Sequence, residues 1–272
     1  MIGARYIEID GADAYVEHWG EGRPVLCLHT AGQGGWQWKR AAGGLAQRGY
    51  QVIVPDLPGH GRSDPALAGP VRDLGLYAAW CESLIDRLGL RDPYVVGCSI
   101  GGKIALDLAL RRGQRLAGVV AMAADAGLPR QAGESMARGL ERELVDAAAP
   151  SRSDRTYLGT LAVVGRKVPE SRAAAIARMH RREDPEVSTS DLIGWARFDR
   201  IAALGGIACP VHMVVGSDDL WMDAERARGA AQAIPGARFT LLDGIGHYPM
   251  EELDDAAGHI DGWLKQLEGA SR

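Results

Sequence analysis

Residues 94–102 read Tyr94-Val95-Val96-Gly97-Cys98-Ser99-Ile100-Gly101-Gly102, an apolar run that enters a Gly-x-Ser-x-Gly turn. A helix-forming stretch, residues 103–110, follows directly. A serine at the apex of so sharp a turn has a strained backbone, and the chain can approach itself this closely only if Gly97 and Gly101 carry no side chain. The pattern therefore predicts a strand, a tight turn and a helix. The Ser99 hydroxyl would stand clear of the turn, with the Ile100 amide directed at whatever Ser99 attacks.

Further apolar runs of strand length lie on both sides of this turn, and stretches with helical periodicity separate them. A predicted antiparallel hairpin at residues 5–19 precedes them. Strands joined through helices form right-handed crossovers, which places them side by side in one sheet. The sequence thus predicts an α/β protein with a mostly parallel eight-stranded sheet and helices on both faces. The runs that follow the hairpin are residues 24–28, 50–55, 94–98, 116–123, 210–215 and 238–242.

The alternation of strands and helices stops at residues 127–200, where only helical patterns occur. This predicts an all-helical insertion between a first core segment, residues 1–126, and a second core segment, residues 201–272. The basic cluster inside the insertion is followed at once by Glu183 and Asp184, which favours a solvated face over a site for an anionic substrate. The cluster consists of Arg178, His180, Arg181 and Arg182, and the predicted helices span 134–147, 152–166, 170–182 and 190–198.

The composition is typical of a soluble globular protein, with 46% hydrophobic residues, 24% charged residues and a net charge of −4. This charge gives no electrostatic basis for binding nucleic acid or an anionic membrane, so a small-molecule partner is expected. The N-terminus lacks the pattern of a leader and no apolar run approaches the length of a membrane span, which predicts a cytoplasmic protein. No metal and no cofactor are predicted, and the oligomeric state stays open, a homodimer included. The cysteines, predicted to be buried free thiols, are Cys27, Cys81, Cys98 and Cys209.

Two further polar loops follow predicted strands: residues 216–219 end in Asp218-Asp219, and residues 244–247 end in His247. A serine hydroxyl becomes nucleophilic at neutral pH only when a histidine takes its proton and a carboxylate fixes that imidazole. Loops at the carboxyl ends of parallel strands share one edge of the sheet, so these groups can converge. The sequence predicts a Ser99–His247 pair, with Asp218, Asp219 or Asp125 supplying the carboxylate.

These motifs together resemble the α/β-hydrolase fold family, in its serine-nucleophile branch with a helical cap. The resemblance rests on the turn at Ser99, the chain order serine, acid, histidine, and the loop 56–63, which is similar to the family's Asp-x-x-Gly-x-Gly-x-Ser. It implies that residues 127–200 form the cap. It also implies that Asp219, in Gly-x-x-Asp, is the acid, with Asp218 and Asp125 as alternatives.

The resemblance further implies an oxyanion hole built from the amides of Ala31 and Ile100. Thr30 stands where the family usually has glycine, so either Ala31 or Gly32 remains the candidate donor in this loop. His29 and His60, in the same group of loops, are interpreted as structural. The aromatic residues predicted to line an apolar substrate pocket, with core packing as the equal alternative, are Trp36, Trp38, Trp221 and Tyr248.

Serine rather than aspartate at the turn argues against the dehalogenase and epoxide hydrolase branches of the family. Cys98 and Tyr248 occupy positions where the carbon–carbon bond hydrolases usually have asparagine and tryptophan. The resemblance therefore favours an esterase or lactonase that forms an acyl-enzyme on Ser99. The alternatives are a carbon–carbon bond hydrolase of a vinylogous diketone, and a non-hydrolytic member such as a ligand receptor or a cofactor-free oxygenase.

Overall fold

The apolar runs form one eight-stranded sheet in the computed structural model, which describes residues 2–146 and 152–269. The strand order is β1-β2-β4-β3-β5-β6-β7-β8. The first two strands are antiparallel to their neighbours and the other six run parallel, which confirms the predicted mostly parallel sheet. The strands are β1 (Ile2–Ile9), β2 (Ala12–Trp19), β3 (Arg23–Leu28), β4 (Tyr50–Pro55), β5 (Tyr94–Cys98), β6 (Gly118–Met122), β7 (Val211–Gly216) and β8 (Arg238–Leu242).

Helices cover both faces of this sheet, which explains why the central strands are apolar along their whole length. All residues of β5, β6 and β7 are buried. The helices are α1 (Ala42–Gln47), α2 (Leu74–Arg87), α3 (Ile100–Arg112), α4 (Arg130–Val145), α5 (Arg152–Val163), α6 (Glu170–His180), α7 (Pro185–Arg197), α8 (Ala224–Ala233), α9 (Pro249–Glu252) and α10 (Ala256–Glu268). The core on one face is built with α2, α3 and α8, and the core on the other face with α1 and α10.

The four helices α4 to α7 lie between β6 and β7, and a bridge between Gly127 and Asp199 closes the base of this insertion. Helix α7 begins earlier than the predicted residue 190, because the Asp184 side chain caps it and Pro185 fills its first turn. The predicted helix end at 147 lies outside the described residues. The basic cluster is not wholly solvated, since His180 is buried while Arg181 and Arg182 are exposed.

The four cysteines are buried and unpaired, as the sequence predicted. Burial raises the pKa of the Cys209 thiol to about 11, so it stays protonated at neutral pH. Within residues 2–146 and 152–269, no helix is both long enough and apolar enough to cross a bilayer.

Candidate active site

Ser99 occupies the junction between β5 and α3 in a backbone conformation that side chains rarely adopt, with φ 57° and ψ −117°. A Cβ atom on Gly97 would lie 2.1 Å from the Gly101 carbonyl oxygen, and one on Gly101 would lie 2.5 Å from that of Leu28. Any side chain at either position would therefore open the turn. The Ser99 carbonyl accepts the Lys103 amide at 3.0 Å and so starts α3. The Ile100 amide lies in the first turn of that helix, where it has no partner within the helix.

His247 and Asp219 meet at the same edge of the sheet, beyond the ends of β8 and β7. His247 Nδ1 lies 2.7 Å from Asp219 Oδ2. The other carboxylate oxygen accepts the amides of Trp221 at 2.9 Å and Met222 at 3.0 Å. An ionised carboxylate only accepts hydrogen bonds, so the proton belongs to Nδ1 and Nε2 is the basic nitrogen. Both side chains are buried, which strengthens this pairing.

The two alternative acids point elsewhere. Asp218 accepts the Ser217 hydroxyl at 2.9 Å and the Arg166 amide at 2.8 Å, and its carboxylate also pairs with the Arg166 guanidinium. Asp125 forms a buried ion pair with Lys103 and accepts the Gly127 amide at 3.0 Å. Of the three carboxylates, Asp219 is the one in contact with His247.

The His247 loop is held by a carboxylate that the sequence analysis did not single out, that of Glu252 in α9. It accepts the amides of Gly246 at 2.6 Å and Tyr248 at 2.9 Å, one on each side of His247, and the Gly165 amide at 3.0 Å. Burial raises the pKa of Glu252, an effect that these three amides oppose. The sequence does contain a signal for this role. The acidic pair Glu251-Glu252 closely follows Pro249, at the start of a helix, where negative charge is favoured.

The loop after β3 contains the two candidate oxyanion donors, the amides of Ala31 and Gly32. The Gly32 amide donates to Asp191 Oδ2 of α7 at 2.8 Å, so it already has an acceptor. Thr30 is fixed by Gln37, whose side-chain oxygen accepts both its amide at 2.9 Å and its hydroxyl at 3.1 Å. Ala31 lines a cavity together with Ser99. Of the two candidate donors left open by the sequence, Ala31 is the one not engaged by Asp191.

The two histidines interpreted as structural are bonded to neighbouring loops. His29 donates from Nδ1 to the Thr30 carbonyl at 2.9 Å and accepts the Leu57 amide on Nε2 at 3.0 Å. Burial lowers the pKa of His29 to about 4, so it remains neutral. Burial also lowers the pKa of His60, but Asp191, 2.8 Å from its Nε2, together with the Pro58 carbonyl and Asp56, more than offsets this and raises the pKa above its ordinary value.

Two cavities contain both Ser99 and His247. The larger, about 560 Å³, has a mainly apolar wall that includes Leu140, Leu192 and Trp195, together with Arg155 and Arg226. Its size falls within the range usual for small-molecule sites. The smaller, about 70 Å³, is more polar and includes Thr30, Gln33 and Glu183. Another cavity, of about 430 Å³, lies beside the β1–β2 turn and contains none of Ser99, Asp219 and His247.

The four predicted pocket residues separate into two groups. Trp221 lines both cavities and its ring centroid lies 4.9 Å from that of His247, while Tyr248 lines the smaller cavity. Trp38 lines neither, because it is fully buried in the core beside α1. Trp36 also lines neither and packs against His180, with ring centroids 5.7 Å apart. For these two tryptophans the structure supports packing rather than pocket lining.

The described residues contain no group of three or more histidine, cysteine, aspartate or glutamate side chains that could hold a metal ion. The functional groups gathered at this edge are instead a hydroxyl, an imidazole, a carboxylate and backbone amides. This set suits nucleophilic attack on an acyl carbon.

An elbow serine and a histidine–aspartate pair at the carboxyl edge of a mostly parallel sheet define an α/β enzyme of the hydrolase class. The chain belongs to the α/β-hydrolase fold family, whose model matches residues 23–253. It is similar to the magnesium-chelatase 30 kDa subunit of Rhodobacter capsulatus, at 31% identity over 90% of this chain and 88% of that protein. It is also similar to a non-heme haloperoxidase of Rhodococcus erythropolis, at 29% identity over 88% and 90%.

Solved structures give the same family. A thermophilic esterase from Thermogutta terrifontis is 27% identical with a TM-score of 0.81, covering 97% of this chain and 100% of that one. Est816, described as an N-acyl homoserine lactone degrading enzyme, is 26% identical with a TM-score of 0.79, covering 95% and 100%. These names span several chemistries, so the substrate has to be argued from the site itself.

Proposed function

We propose that this protein is a serine hydrolase that cleaves a small-molecule ester or lactone through an acyl-enzyme on Ser99. The observation that carries the proposal is the 2.7 Å contact between His247 Nδ1 and Asp219 Oδ2. That contact leaves Nε2 basic in a histidine that shares two cavities with the elbow serine. The esterase and the lactone-degrading enzyme among the structural relatives support the same reading.

The proposed reaction uses residues of the chain and water alone. Ser99 Oγ attacks the acyl carbon as His247 Nε2 takes its proton, and Asp219 stabilises the imidazolium that forms. The amides of Ile100 and Ala31 hold the oxyanion. The tetrahedral intermediate collapses, the bond to the leaving oxygen breaks, and Nε2 returns the proton to that oxygen. Water then attacks the acyl-enzyme by the same route, and Ser99 recovers its proton.

The helical insertion, residues 127–200, is proposed to act as a cap over the two core segments, 1–126 and 201–272. Side chains from α4, α5 and α7 line the larger cavity, represented by Leu140, Thr156 and Trp195. Closing the site on this side would exclude water and shape the acyl pocket.

Cleavage of an ester or lactone is favoured over cleavage of a carbon–carbon bond. The Cys98 thiol, at the position before the serine, donates to the His247 carbonyl at 3.2 Å and is buried. It therefore supports the histidine loop and lacks the carboxamide that the carbon–carbon bond hydrolases usually place there. Turnover of a vinylogous diketone with no turnover of esters would reverse this preference.

The proposal is tested by labelling with a fluorophosphonate and by ester hydrolysis. We expect a single adduct on Ser99 in peptide mapping, and loss of both labelling and p-nitrophenyl hexanoate turnover in Ser99→Ala. Ser83→Ala, on α2 and outside both cavities, is the matched control and keeps both activities. A folded wild-type protein that takes no label and turns over no ester would refute the proposal.

A further inference from the structure

The larger cavity carries an unusual feature for a mainly apolar pocket: two arginine residues line it. Arg155 of α5 is paired with Glu143 of α4, so its charge is matched within the insertion. Arg226 of α8 has a different environment. Its nearest carboxylate oxygen is Asp125 Oδ2, at 3.4 Å from a terminal nitrogen. Its Nε atom is buried and has no hydrogen-bond acceptor among the described residues.

The carboxylate of Asp125 has to serve two cations. The Lys103 ammonium group is fully buried and bonds to Asp125 Oδ1, while Arg226 approaches Oδ2. Lys103 also lies 4.7 Å from the centroid of the Trp195 ring, which forms the cavity wall. Asp199, the next acidic group toward Lys103, is exposed. One buried carboxylate therefore faces two cations, and one of these, Arg226, also lines the cavity.

The two cavities beside Ser99 differ in the charged side chains that line them. Glu183 lines the smaller cavity, where it is 8% exposed and accepts the Thr156 hydroxyl. Arg226 lines the larger cavity. An anionic group on a substrate would be attracted to the Arg226 side chain.

We propose that Arg226 binds a carboxylate at the far end of the substrate arm that occupies the larger cavity. This rests on the proposed function and specifies its substrate class: an ester or lactone with an apolar arm that ends in an anionic group. The apolar wall packs the arm, and the guanidinium group takes the carboxylate, for which its geometry is matched. Asp125, paired with Lys103, lies 3.4 Å from a terminal nitrogen of Arg226 and helps to hold its side chain in place.

The test compares pairs of esters with and without a terminal carboxylate. One pair places the charge in the acyl arm, p-nitrophenyl hydrogen adipate against p-nitrophenyl hexanoate. The other places it in the alcohol arm, 4-carboxyphenyl hexanoate against phenyl hexanoate. In Arg226→Gln we expect kcat/KM to fall by about tenfold to a hundredfold for one charged ester, mainly through KM, with its neutral partner nearly unchanged. Arg226→Lys should restore part of the loss. The pair of esters whose charged member loses activity shows whether the acyl arm or the alcohol arm occupies the larger cavity.

Arg228→Gln is the matched control, because Arg228 lies on the same helix but pairs with Glu225 and stacks on Phe239 outside the cavity. Equal losses on charged and neutral esters in Arg226→Gln would indicate a purely structural role and overturn the inference. No selective loss on either charged ester would also overturn it.

A binding measurement separates this inference from the proposed function. Trp195 and Trp221 line the cavity, so adipate binding to the Ser99→Ala variant can be followed by tryptophan fluorescence. Binding that weakens in Ser99→Ala/Arg226→Gln supports the anion site even if no ester is hydrolysed. Equal binding by the two variants contradicts it, whatever the esterase activity.

Discussion

Three aspartates follow the carboxyl ends of β6 and β7, and their surroundings give them three different roles. Asp125 lies between Lys103 and Arg226, Asp218 faces Arg166, and Asp219 contacts His247. Asp125 and Asp218 already pair with cations, and turning either carboxylate toward His247 would leave those cations unpaired. The environment, more than the residue type, therefore assigns the acid of the proposed triad to Asp219.

Asp219→Asn tests this assignment by changing the contact between Asp219 and His247 Nδ1. The variant keeps the size of the side chain, but its NH₂ group can donate to His247 Nδ1 and so favours the wrong tautomer. We expect kcat on p-nitrophenyl hexanoate to fall by roughly 10⁴. Asp218→Asn, one residue earlier, should retain kcat within a few-fold. Equal losses in the two variants would show that the histidine does not depend on Asp219.

Two buried histidine–carboxylate contacts join the helical insertion to the core. Asp191 of α7 lies 2.8 Å from His60 Nε2, and it also accepts the Tyr77 hydroxyl and the Gly32 amide at 2.8 Å. On α6, His180 Nε2 lies 2.8 Å from Glu251 Oε2 of α9. Asp191 therefore contacts the loop after β3 through Gly32, so the position of that loop depends on how α7 is held against the core.

Asp191→Ala should separate α7 from the core. Removing one member of a buried ion pair typically costs about 3–5 kcal/mol, because its partner is left uncompensated. We expect a loss of this size in the free energy of unfolding in urea, with a lower kcat as Gly32 is released. Asp184→Ala removes the N-cap of the same helix without touching the core, and should cost only about 1 kcal/mol. Losses of equal size would mean that Asp191 only stabilises its own helix.

Across the whole molecule, the features that the sequence predicts are those determined by residues close together in the chain. The eight strands, the turn at Ser99 and the loops at strand ends are each set by neighbouring residues. The contact between His60 and Asp191 joins positions 131 apart, and that between Gln37 and Glu251 joins positions 214 apart. Such partners depend on how segments far apart in the chain pack together, which periodicity does not encode. For the same reason, the sequence does not distinguish burial of Trp38 in the core from a position in the pocket wall.

The core also holds histidines that must remain neutral. His212 of β7 is 1% exposed, and its Nε2 lies 2.8 Å from the Thr240 hydroxyl of β8. Burial and the nearby Arg238 lower the pKa of His212 from 6.5 to about 4. Its Nδ1 atom has no partner among the described residues, so a proton placed there would be both buried and unbonded.

This histidine predicts a loss of stability in mild acid. Between pH 6.5 and about 4 the unfolded chain protonates His212 and the folded chain does not, so acidification favours unfolding. From pH 7 to pH 5 the group should remove about 2 kcal/mol from the free energy of unfolding. In urea titrations at pH 7 and pH 5, His212→Gln should not show that part of the loss in the free energy of unfolding. His259→Gln, exposed on α10, should keep the wild-type difference. If His212→Gln keeps it as well, protonation of His212 is not coupled to folding, and the acid sensitivity must come from other buried groups such as His29.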